Sequence, residues 1–385
     1  MGIGYLFISN STKPSKEVLE STAPIGPNSF SRAAIMAADE MGWELHMGIN
    51  RNHPEIVQSK DYNIKFYDQH TYRNIFAIKD NWKAYRNLCR YLKENPKIEI
   101  IHCNTPIGGV VGRLAGKKFK KKVIYTAHGF HFFKGAPLFN RTILKWIEMW
   151  LAHYTDILIT INQEDFEASQ KFKFKKGGKA VYVPGVGVEP ISVPNNGNKK
   201  NLREKLNLRD SDFVCICMGD IVKRKNYKTA IESIYQLRNK NVHYLICGIG
   251  PTMKKLEDLT SELGISAQIH FMGYRTDMKD LLLVSDCFLF SSLQEGLPRS
   301  TMEAMAAGLP CVVSDIRGNC DLIDNEKGGF LIDASNHSGY ANALKMLMED
   351  PILRQRMSEY NREKIKGFDI NIVEQDLLNI FRTIL

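Results

Sequence analysis

The chain has 385 residues, which is long for a single hydrophobic core, so two domains are expected. Hydrophobic residues make up 44% of it and charged residues 24%, proportions typical of a soluble globular protein. No apolar run approaches the roughly 18 residues that span a bilayer, and the first residues predict a strand, not a signal peptide. The eight cysteines show neither a C-x-x-C pair nor zinc-ligand spacing, so we expect reduced, buried thiols in a cytoplasmic protein.

The net charge of +10 is unevenly distributed. Lysines cluster between residues 117 and 122 and again between residues 171 and 179, both in the first half of the chain. Such clusters attract nucleic acid or an anionic membrane surface. The alternative is that they are solvated helix ends and loops.

The first half alternates short apolar runs with amphipathic helical patterns. This alternation predicts an α/β domain with a doubly wound parallel sheet, covered by helices on both faces. The predicted helices include 30–41 and 82–94. The predicted strands are 5–9, 44–49, 98–103, 123–127, 157–161 and 181–183.

Ligands of such sheets bind outside the carboxyl ends of the strands, and two loops there carry candidate residues. The first contains Gly26 and Asn28, and Asn28 is predicted to cap the following helix, whose N–H groups suit an anion such as a diphosphate. The second contains His128, which directly follows a predicted strand and precedes a glycine. A lone histidine is more often structural, but this position favours a functional role, with Asn104 and His131 in neighbouring loops.

Residues 130–151 combine many large apolar side chains with Lys134, Arg141 and Lys145. One explanation is a helix packed in the core. The other is an aromatic and basic surface that dips into a membrane interface. The sequence leaves both open.

Residues 189–201, rich in proline, glycine and asparagine, predict a linker. Beyond it the strand–helix alternation begins again and predicts a second parallel sheet. Its strands are expected over residues 213–218, 242–247, 269–272, 287–290, 311–313 and 330–332.

The stretch from 290 to 322 carries the strongest signal in the chain. Glu295, Gly296, Leu297 and Pro298 precede a predicted helix, with Ser300 or Thr301 as its expected cap and with Glu303 within it. A loop that leads into a helix N-terminus is a natural site for phosphate or sugar oxygens, and carboxylates accept hydrogen bonds from sugar hydroxyls. The alternative is a loop end and a surface helix that happen to carry glutamates.

The sequence EGLPRSTMEAMAAGLPCVVS, from Glu295 to Ser314, closely resembles the E-x7-E signature of the retaining glycosyltransferases of family 4. The resemblance implies the GT-B fold, in which two Rossmann-like domains face an inter-domain cleft. It implies an acceptor-side domain at 1–188 and a donor-binding domain at 202–369, with a C-terminal helix at about 370–385 returning to the first domain. The implied activity transfers a hexose with retention from a nucleotide-diphosphate sugar, expected to be a UDP-sugar. The implied acceptor is a lipid-linked saccharide in bacterial capsule or exopolysaccharide assembly.

The resemblance also implies roles for residues that match the family pattern. Glu303 is expected to bind the ribose hydroxyls, and Glu295 the donor sugar. Gly296, Leu297 and Pro298 are expected to shape the phosphate loop, and Met272 to lie near the base. His128 is expected to orient the sugar.

The cations of the implied diphosphate site match the family pattern only in part. Lys225 matches the family lysine and is expected to neutralise the diphosphate. Asp220 stands where the family usually has arginine, so Arg224 or Arg299 is expected to replace that cation.

No cofactor or metal is expected, because cationic side chains take the diphosphate charge, and Asp210-Ser211-Asp212 is interpreted as a turn. The expected partners are the nucleotide sugar, a saccharide or undecaprenyl-diphosphate-linked acceptor and an anionic membrane surface, without nucleic acid. The expected location is cytoplasmic, peripheral on the inner face of the membrane. Two alternatives stay open: a UDP-sugar 2-epimerase of the same fold, and a non-catalytic nucleotide-sugar-binding partner, which Asp220 motivates.

Overall fold

The computed structural model describes residues 2–104, 106–191 and 196–384. The chain folds as two units: Met1–Gly187 together with Ile370–Leu385, and Val188–Asp369. Each unit contains its own parallel sheet. The prediction of two doubly wound α/β units is therefore confirmed.

The first sheet has seven strands in the order β3-β2-β1-β4-β5-β6-β7, and all its pairings are parallel. Its central strands β1 and β4 are buried except at Glu99 of β4, as expected for a sheet covered on both faces. The strands are β1 Gly4–Ile8, β2 Glu44–Ile49, β3 Ile64–Asp68, β4 Ile98–Asn104, β5 Lys122–Ala127, β6 Ile157–Thr160 and β7 Lys179–Tyr182.

Helices cover this sheet, and the last helix of the chain belongs to the same unit. The helices are α1 Lys16–Glu20, α2 Arg32–Glu40, α3 Ile78–Glu94, α4 Pro106–Phe119, α5 Lys145–Ala152, α6 Gln163–Ser169 and, from the C-terminus, α15 Ile370–Arg382. A π-helical turn, Asn140–Leu144, leads into α5. Helix α15 packs on α2, and Phe381 lies 5.2 Å from the ring of Trp43 and 5.5 Å from that of Tyr5.

The second sheet has six parallel strands in the order β10-β9-β8-β11-β12-β13. They are β8 Phe213–Met218, β9 Val242–Cys247, β10 Ile269–Gly273, β11 Cys287–Phe290, β12 Cys311–Ser314 and β13 Gly329–Ile332. The helices are α7 Asn196–Lys205, α8 Tyr227–Leu237, α9 Met253–Glu262, α10 Met278–Val284, α11 Arg299–Ala306, α12 Asn319–Leu322, α13 His337–Glu349 and α14 Pro351–Ile365. Within the described residues, no helix combines the length and apolar character needed to cross a bilayer.

Several local predictions need correction. Strand β3 is absent from the predicted elements, because this edge strand is short and Lys65 interrupts its apolar pattern. Of the linker predicted at 189–201, residues 192–195 lie outside the described part of the chain, and α7 begins at 196. Neither Ser300 nor Thr301 caps α11; the cap position is Pro298, which makes no side-chain capping bond.

All eight cysteines are free thiols. Seven of them are buried, as expected for small apolar side chains in strands and helices, and Cys320 is exposed.

Candidate active site

The second unit brings two loops together at the carboxyl ends of neighbouring strands. Strand β8 ends before Gly219, and β11 ends before the 291–298 loop. Because β8 and β11 are adjacent and parallel, their following loops lie at the same edge of the sheet. Gly219 has a φ of +145°, a conformation that side-chain-bearing residues rarely adopt.

A polar contact network holds these two loops together. The Asn226 side-chain amide donates to the Ser291 carbonyl at 3.0 Å and to the Ala334 carbonyl at 2.8 Å. In return, the Ser291 hydroxyl donates to the Asn226 carbonyl at 2.7 Å. Asn226, with a φ of +52°, is the residue between the end of the Lys223–Lys225 turn and the start of α8. The lysine-bearing turn is therefore fixed relative to the glutamate loop.

Two cations converge on the carboxylate of Glu295. The Lys225 Nζ lies 2.8 Å from Glu295 Oε1, and both side chains are nearly buried, with 9% and 10% exposed. The more exposed Arg224 guanidinium reaches the same oxygen at 3.0 Å, and the Ser292 hydroxyl donates to it at 2.7 Å. The Lys225 ammonium also lies 4.6 Å from the centre of the Phe290 ring. Two positive charges and one negative charge leave a net positive, preorganised cluster that suits an anion such as a diphosphate.

Helix α11 presents the second glutamate. Arg299 lies one turn before Glu303, and their side chains pair at 3.0 Å. Burial raises the pKa of Glu303, and the charge of Arg299 partly opposes this rise. Arg299 therefore pairs with Glu303, whereas Arg224 joins the Lys225 cluster directly.

The residues between Glu295 and α11 form a close backbone turn. Leu297 is buried, and Pro298 occupies the cap position of α11. Gly318, with a φ of +82°, packs against Gly296 so tightly that a Cβ would stand 2.2 Å from the Gly296 carbonyl oxygen. This contact fixes the path of the loop that carries Gly296 and Leu297.

The remaining predicted positions of the second unit lie near the same edge. Met272 is partly buried near the end of β10. The Asp220 side chain is exposed, and its carboxylate forms no hydrogen bond or ion pair with any described residue. Its carboxylate therefore does not take part in the Lys225 cluster.

In the first unit, His128 is a shielded histidine without polar partners. Neither ring nitrogen is accessible to solvent, and neither hydrogen-bonds to any residue that the structure describes. Burial, with a smaller contribution from the positive charge of Arg73, lowers the pKa of His128 to about 4. The ring borders a cavity of about 30 Å³ that has room for one small polar group. An unsatisfied buried imidazole is costly, and a hydroxyl group placed in this cavity would relieve that cost.

The loop of Gly26 and Asn28 lies partly beside this histidine. Asn28 does not cap α2, contrary to the prediction; its Oδ1 accepts from the Phe30 N–H at 2.9 Å, and α2 begins only at Arg32. The Phe30 ring in turn contacts His128 edge-on, with 5.2 Å between ring centres. Gly26 packs against the Asp61 carboxylate, where a Cβ would stand 2.8 Å from Oδ2. The structure thus links Asn28 to His128 through Phe30, but it does not link Gly26 to them.

Two residues of these sites were not identified from the sequence. Ser292 belongs to no motif, and its position three residues before Glu295 was the available signal for its contact with the carboxylate. Arg73 lies in an irregular segment without a motif, so nothing in the sequence indicated its proximity to His128. Among the described residues, no three His, Cys, Asp or Glu side chains are grouped as a metal site requires.

Comparison with known proteins identifies related sequences for both halves. Residues 198–364 match the family Glycosyl transferases group 1, and residues 37–186 match Glycosyltransferase Family 4. The putative glycosyltransferase EpsD of Bacillus subtilis is 31% identical over 349 residues, covering 89% of this chain and 90% of that protein. The UDP-Gal:alpha-D-GlcNAc-diphosphoundecaprenol alpha-1,3-galactosyltransferase of Escherichia coli is 31% identical over 77% of this chain and 78% of its own length.

Solved structures share the fold at much lower identity. HepE of Anabaena, crystallised in complex with UDP-glucose, aligns with a TM-score of 0.77 and 16% identity over 99% of this chain and 100% of its own. The GT-B fold expected from the sequence is therefore confirmed.

Proposed function

This chain belongs to the group 1 and family 4 glycosyltransferases, and we propose that it transfers a hexose from a UDP-sugar to a lipid-linked saccharide with retention of configuration. The proposed acceptor is an undecaprenyl-diphosphate-linked saccharide in bacterial surface polysaccharide assembly. The name of the E. coli relative, which includes a UDP-linked donor and a diphosphoundecaprenol acceptor, supports this choice.

The observation that carries the proposal is the convergence of Lys225 and Arg224 on Glu295. A departing nucleotide diphosphate develops negative charge, and preorganised cations in a shielded site stabilise that charge without reorganising. Glu295 holds the two cations in place and also accepts hydrogen bonds from the donor sugar. Arg224 supplies the positive charge that the family pattern places at Asp220.

The other predicted residues complete the donor and sugar sites. Glu303 accepts hydrogen bonds from the ribose hydroxyls, while Met272 contacts the base. The N–H groups at the start of α11, after Gly296, Leu297 and Pro298, bind phosphate oxygens. His128, neutral at physiological pH, exchanges a hydrogen bond with a hydroxyl of the transferred sugar.

The proposed reaction is a front-face substitution. The bond between the anomeric carbon and the diphosphate oxygen breaks, and the acceptor oxygen bonds to the same carbon from the same face. The acceptor proton passes to the leaving phosphate oxygen, so no separate base is needed. Lys225 and Arg224 stabilise the diphosphate, which leads us to propose that the reaction needs neither metal nor cofactor.

The basic first unit suits an acceptor at a membrane. We propose that the protein works in the cytoplasm, peripherally on the inner face of the membrane, with anionic lipid and not nucleic acid as the surface it meets. The net charge of +10 and the exposed aromatic side chains Trp146 and Trp150 support this location.

The test is donor turnover in the absence and presence of EDTA. The full-length protein is incubated with UDP-, GDP- and dTDP-sugars, and nucleotide release is followed with and without a diphosphoundecaprenyl saccharide. Release from a UDP-sugar that persists in EDTA and is lost in Glu295→Gln supports the proposal, and the anomeric configuration of the product, measured by NMR, tests retention. Conversion of the UDP-sugar to its 2-epimer would instead identify an epimerase. Tight UDP binding without release from any donor would identify a binding partner.

A further inference from the structure

A long groove runs along α4 in the first unit, with a volume of about 1380 Å³. Its floor is formed by Ile107, Val110, Val111 and Leu114 of α4. Small-molecule sites are typically about 300–1,000 Å³, so the groove is larger than most of them. Helix α4 has 14 residues and is therefore about 21 Å long, which makes the site suitable for an extended ligand.

The walls of this α4 groove are apolar, and parts of them are strongly exposed. On one side Phe76 is 81% exposed, and Trp82 of α3 is 60% exposed. On the other side the groove is lined by Phe139, Leu144 and Ile147. A contiguous exposed apolar surface of this kind is costly in water and marks a binding site.

The charge around the α4 groove is positive. Arg73 lines it, as do Lys117 and Lys118 at the C-terminal end of α4. The one carboxylate among its lining residues, all of which the structure describes, belongs to Glu148. That carboxylate is neutralised by the buried Arg113 at 2.7 Å, a contact that also ties α5 to α4. The groove therefore suits a ligand with an apolar body and an anionic group.

One end of the α4 groove lies next to the proposed sugar site. Helix α4 starts at the carboxyl end of β4, where ligands of such sheets bind, and Pro106 and His131 line the groove there. Arg73 lines the same groove, and its charge acts on His128. Arg73 forms no side-chain hydrogen bond or ion pair with the described residues, so its guanidinium is available to an anion.

We propose that the α4 groove binds the isoprenoid tail of the lipid acceptor, and that Arg73 binds the diphosphate that follows the tail. This inference rests on the proposed function for the identity of the acceptor. The tail runs along α4 in the groove, and the diphosphate at Arg73 directs the attached saccharide toward His128. The groove thereby selects acceptors by their lipid, independently of how the donor is bound.

A second apolar surface lies beside the groove without lining it. Ile143 and Trp146 are exposed, are one helical turn apart and are not among the groove-lining residues. Large aromatic and aliphatic side chains on such a face suit the bilayer interface. Substitutions there separate adsorption to a bilayer from capture of a single lipid tail.

The first experiment measures tail-length dependence on the full-length protein. Isopentenyl, geranyl and farnesyl diphosphate are titrated below their aggregation limits, and binding is followed by calorimetry and by tryptophan fluorescence. Burial of each isoprene unit is expected to strengthen binding at least tenfold. Affinity that stays within threefold across the series would overturn the proposal.

Variants locate the binding site. Leu114→Trp fills the floor of the groove and is expected to weaken farnesyl diphosphate binding at least tenfold, with its folding checked by thermal unfolding. Arg73→Gln is expected to weaken binding of farnesyl diphosphate but not of farnesol, which lacks the diphosphate and so tests the tail alone. The matched control Trp146→Ala, outside the groove, is expected to change neither. If Trp146→Ala abolishes binding while folded Leu114→Trp binds normally, the groove is not the site.

Nucleotide release by the wild-type protein keeps the two proposals apart. If nucleotide is released but the binding of isoprenoid diphosphates does not depend on tail length, the groove proposal is wrong and the transferase proposal is supported. If binding depends on tail length but no nucleotide is released from any donor, the groove proposal is supported and the transferase proposal is wrong.

Discussion

Replacing Lys225 with methionine removes the more buried of the two cations that contact Glu295 while keeping an unbranched side chain of similar length. The ammonium lies 2.8 Å from the carboxylate, and the Lys225 side chain is only 9% exposed. A cation from solution therefore does not readily replace the lost charge. Loss of one preorganised group that stabilises transition-state charge typically costs about 10²–10³ in kcat. We expect nucleotide release by Lys225→Met to fall by about that factor.

The stability cost of Lys225→Met is expected to be smaller than the effect on activity. Removing one partner of a buried ion pair costs about 3–5 kcal/mol when the other charge is left alone. Here Glu295 keeps the Arg224 guanidinium at 3.0 Å and the Ser292 hydroxyl at 2.7 Å, so we expect a cost of about 1–2 kcal/mol. The measurement is therefore kcat at saturating donor, with thermal unfolding in parallel.

The matched control is Lys223→Met. Lys223 lies on the same short turn but is exposed and contacts no carboxylate among the described residues. Its replacement changes the net charge by the same amount without removing a cation from Glu295. A Lys225→Met variant that keeps more than a third of the wild-type rate would contradict this role of Lys225. So would a Lys223→Met variant that loses as much activity as Lys225→Met.

Three further predictions concern binding and stability. Glu303→Gln is expected to weaken UDP binding about tenfold, measured by calorimetry. Burial raises the pKa of Glu303, so on acidification the wild-type protein should lose affinity for UDP at a higher pH than it would with a glutamate of ordinary pKa. The Glu303→Gln variant should not show this loss. Burial lowers the pKa of His46, His102 and His128 to about 4, about 3 and about 4. Below about pH 6.5 these histidines are protonated in the unfolded chain but stay neutral in the folded one. Each should therefore lower the free energy of unfolding by up to about 2 kcal/mol at pH 5 relative to pH 8, measured by urea unfolding. Equal stability at the two pH values would contradict this. Phe381→Ala is expected to destabilise the first unit by about 3–5 kcal/mol in thermal unfolding, and an unchanged Tm would show that α15 is dispensable.

Local pattern was enough to predict most of the fold. The segment Phe213–Met218 is an unbroken apolar run, and the structure makes it a fully buried strand, because a parallel sheet covered on both faces leaves no side of a strand in water. The Glu295–Ser314 motif likewise predicted a loop leading into a helix, which the structure contains as α11. Strand β3 was missed, since an edge strand keeps part of its surface exposed and weakens the apolar pattern.

Within the candidate site, the sequence alone determined which residue types are present, and the tertiary structure decided which of them meet. Lys225 and Glu295 are far apart in the chain, and they pair because β8 and β11 are neighbours in the sheet. The sequence left Arg224 and Arg299 open as substitute cations, and the structure places Arg224 on Glu295 and Arg299 on Glu303. Local patterns reflect interactions over a few residues, whereas strand order follows from packing the whole sheet. The α4 groove has the same origin, because its floor and walls come from three segments that only the folded unit brings side by side.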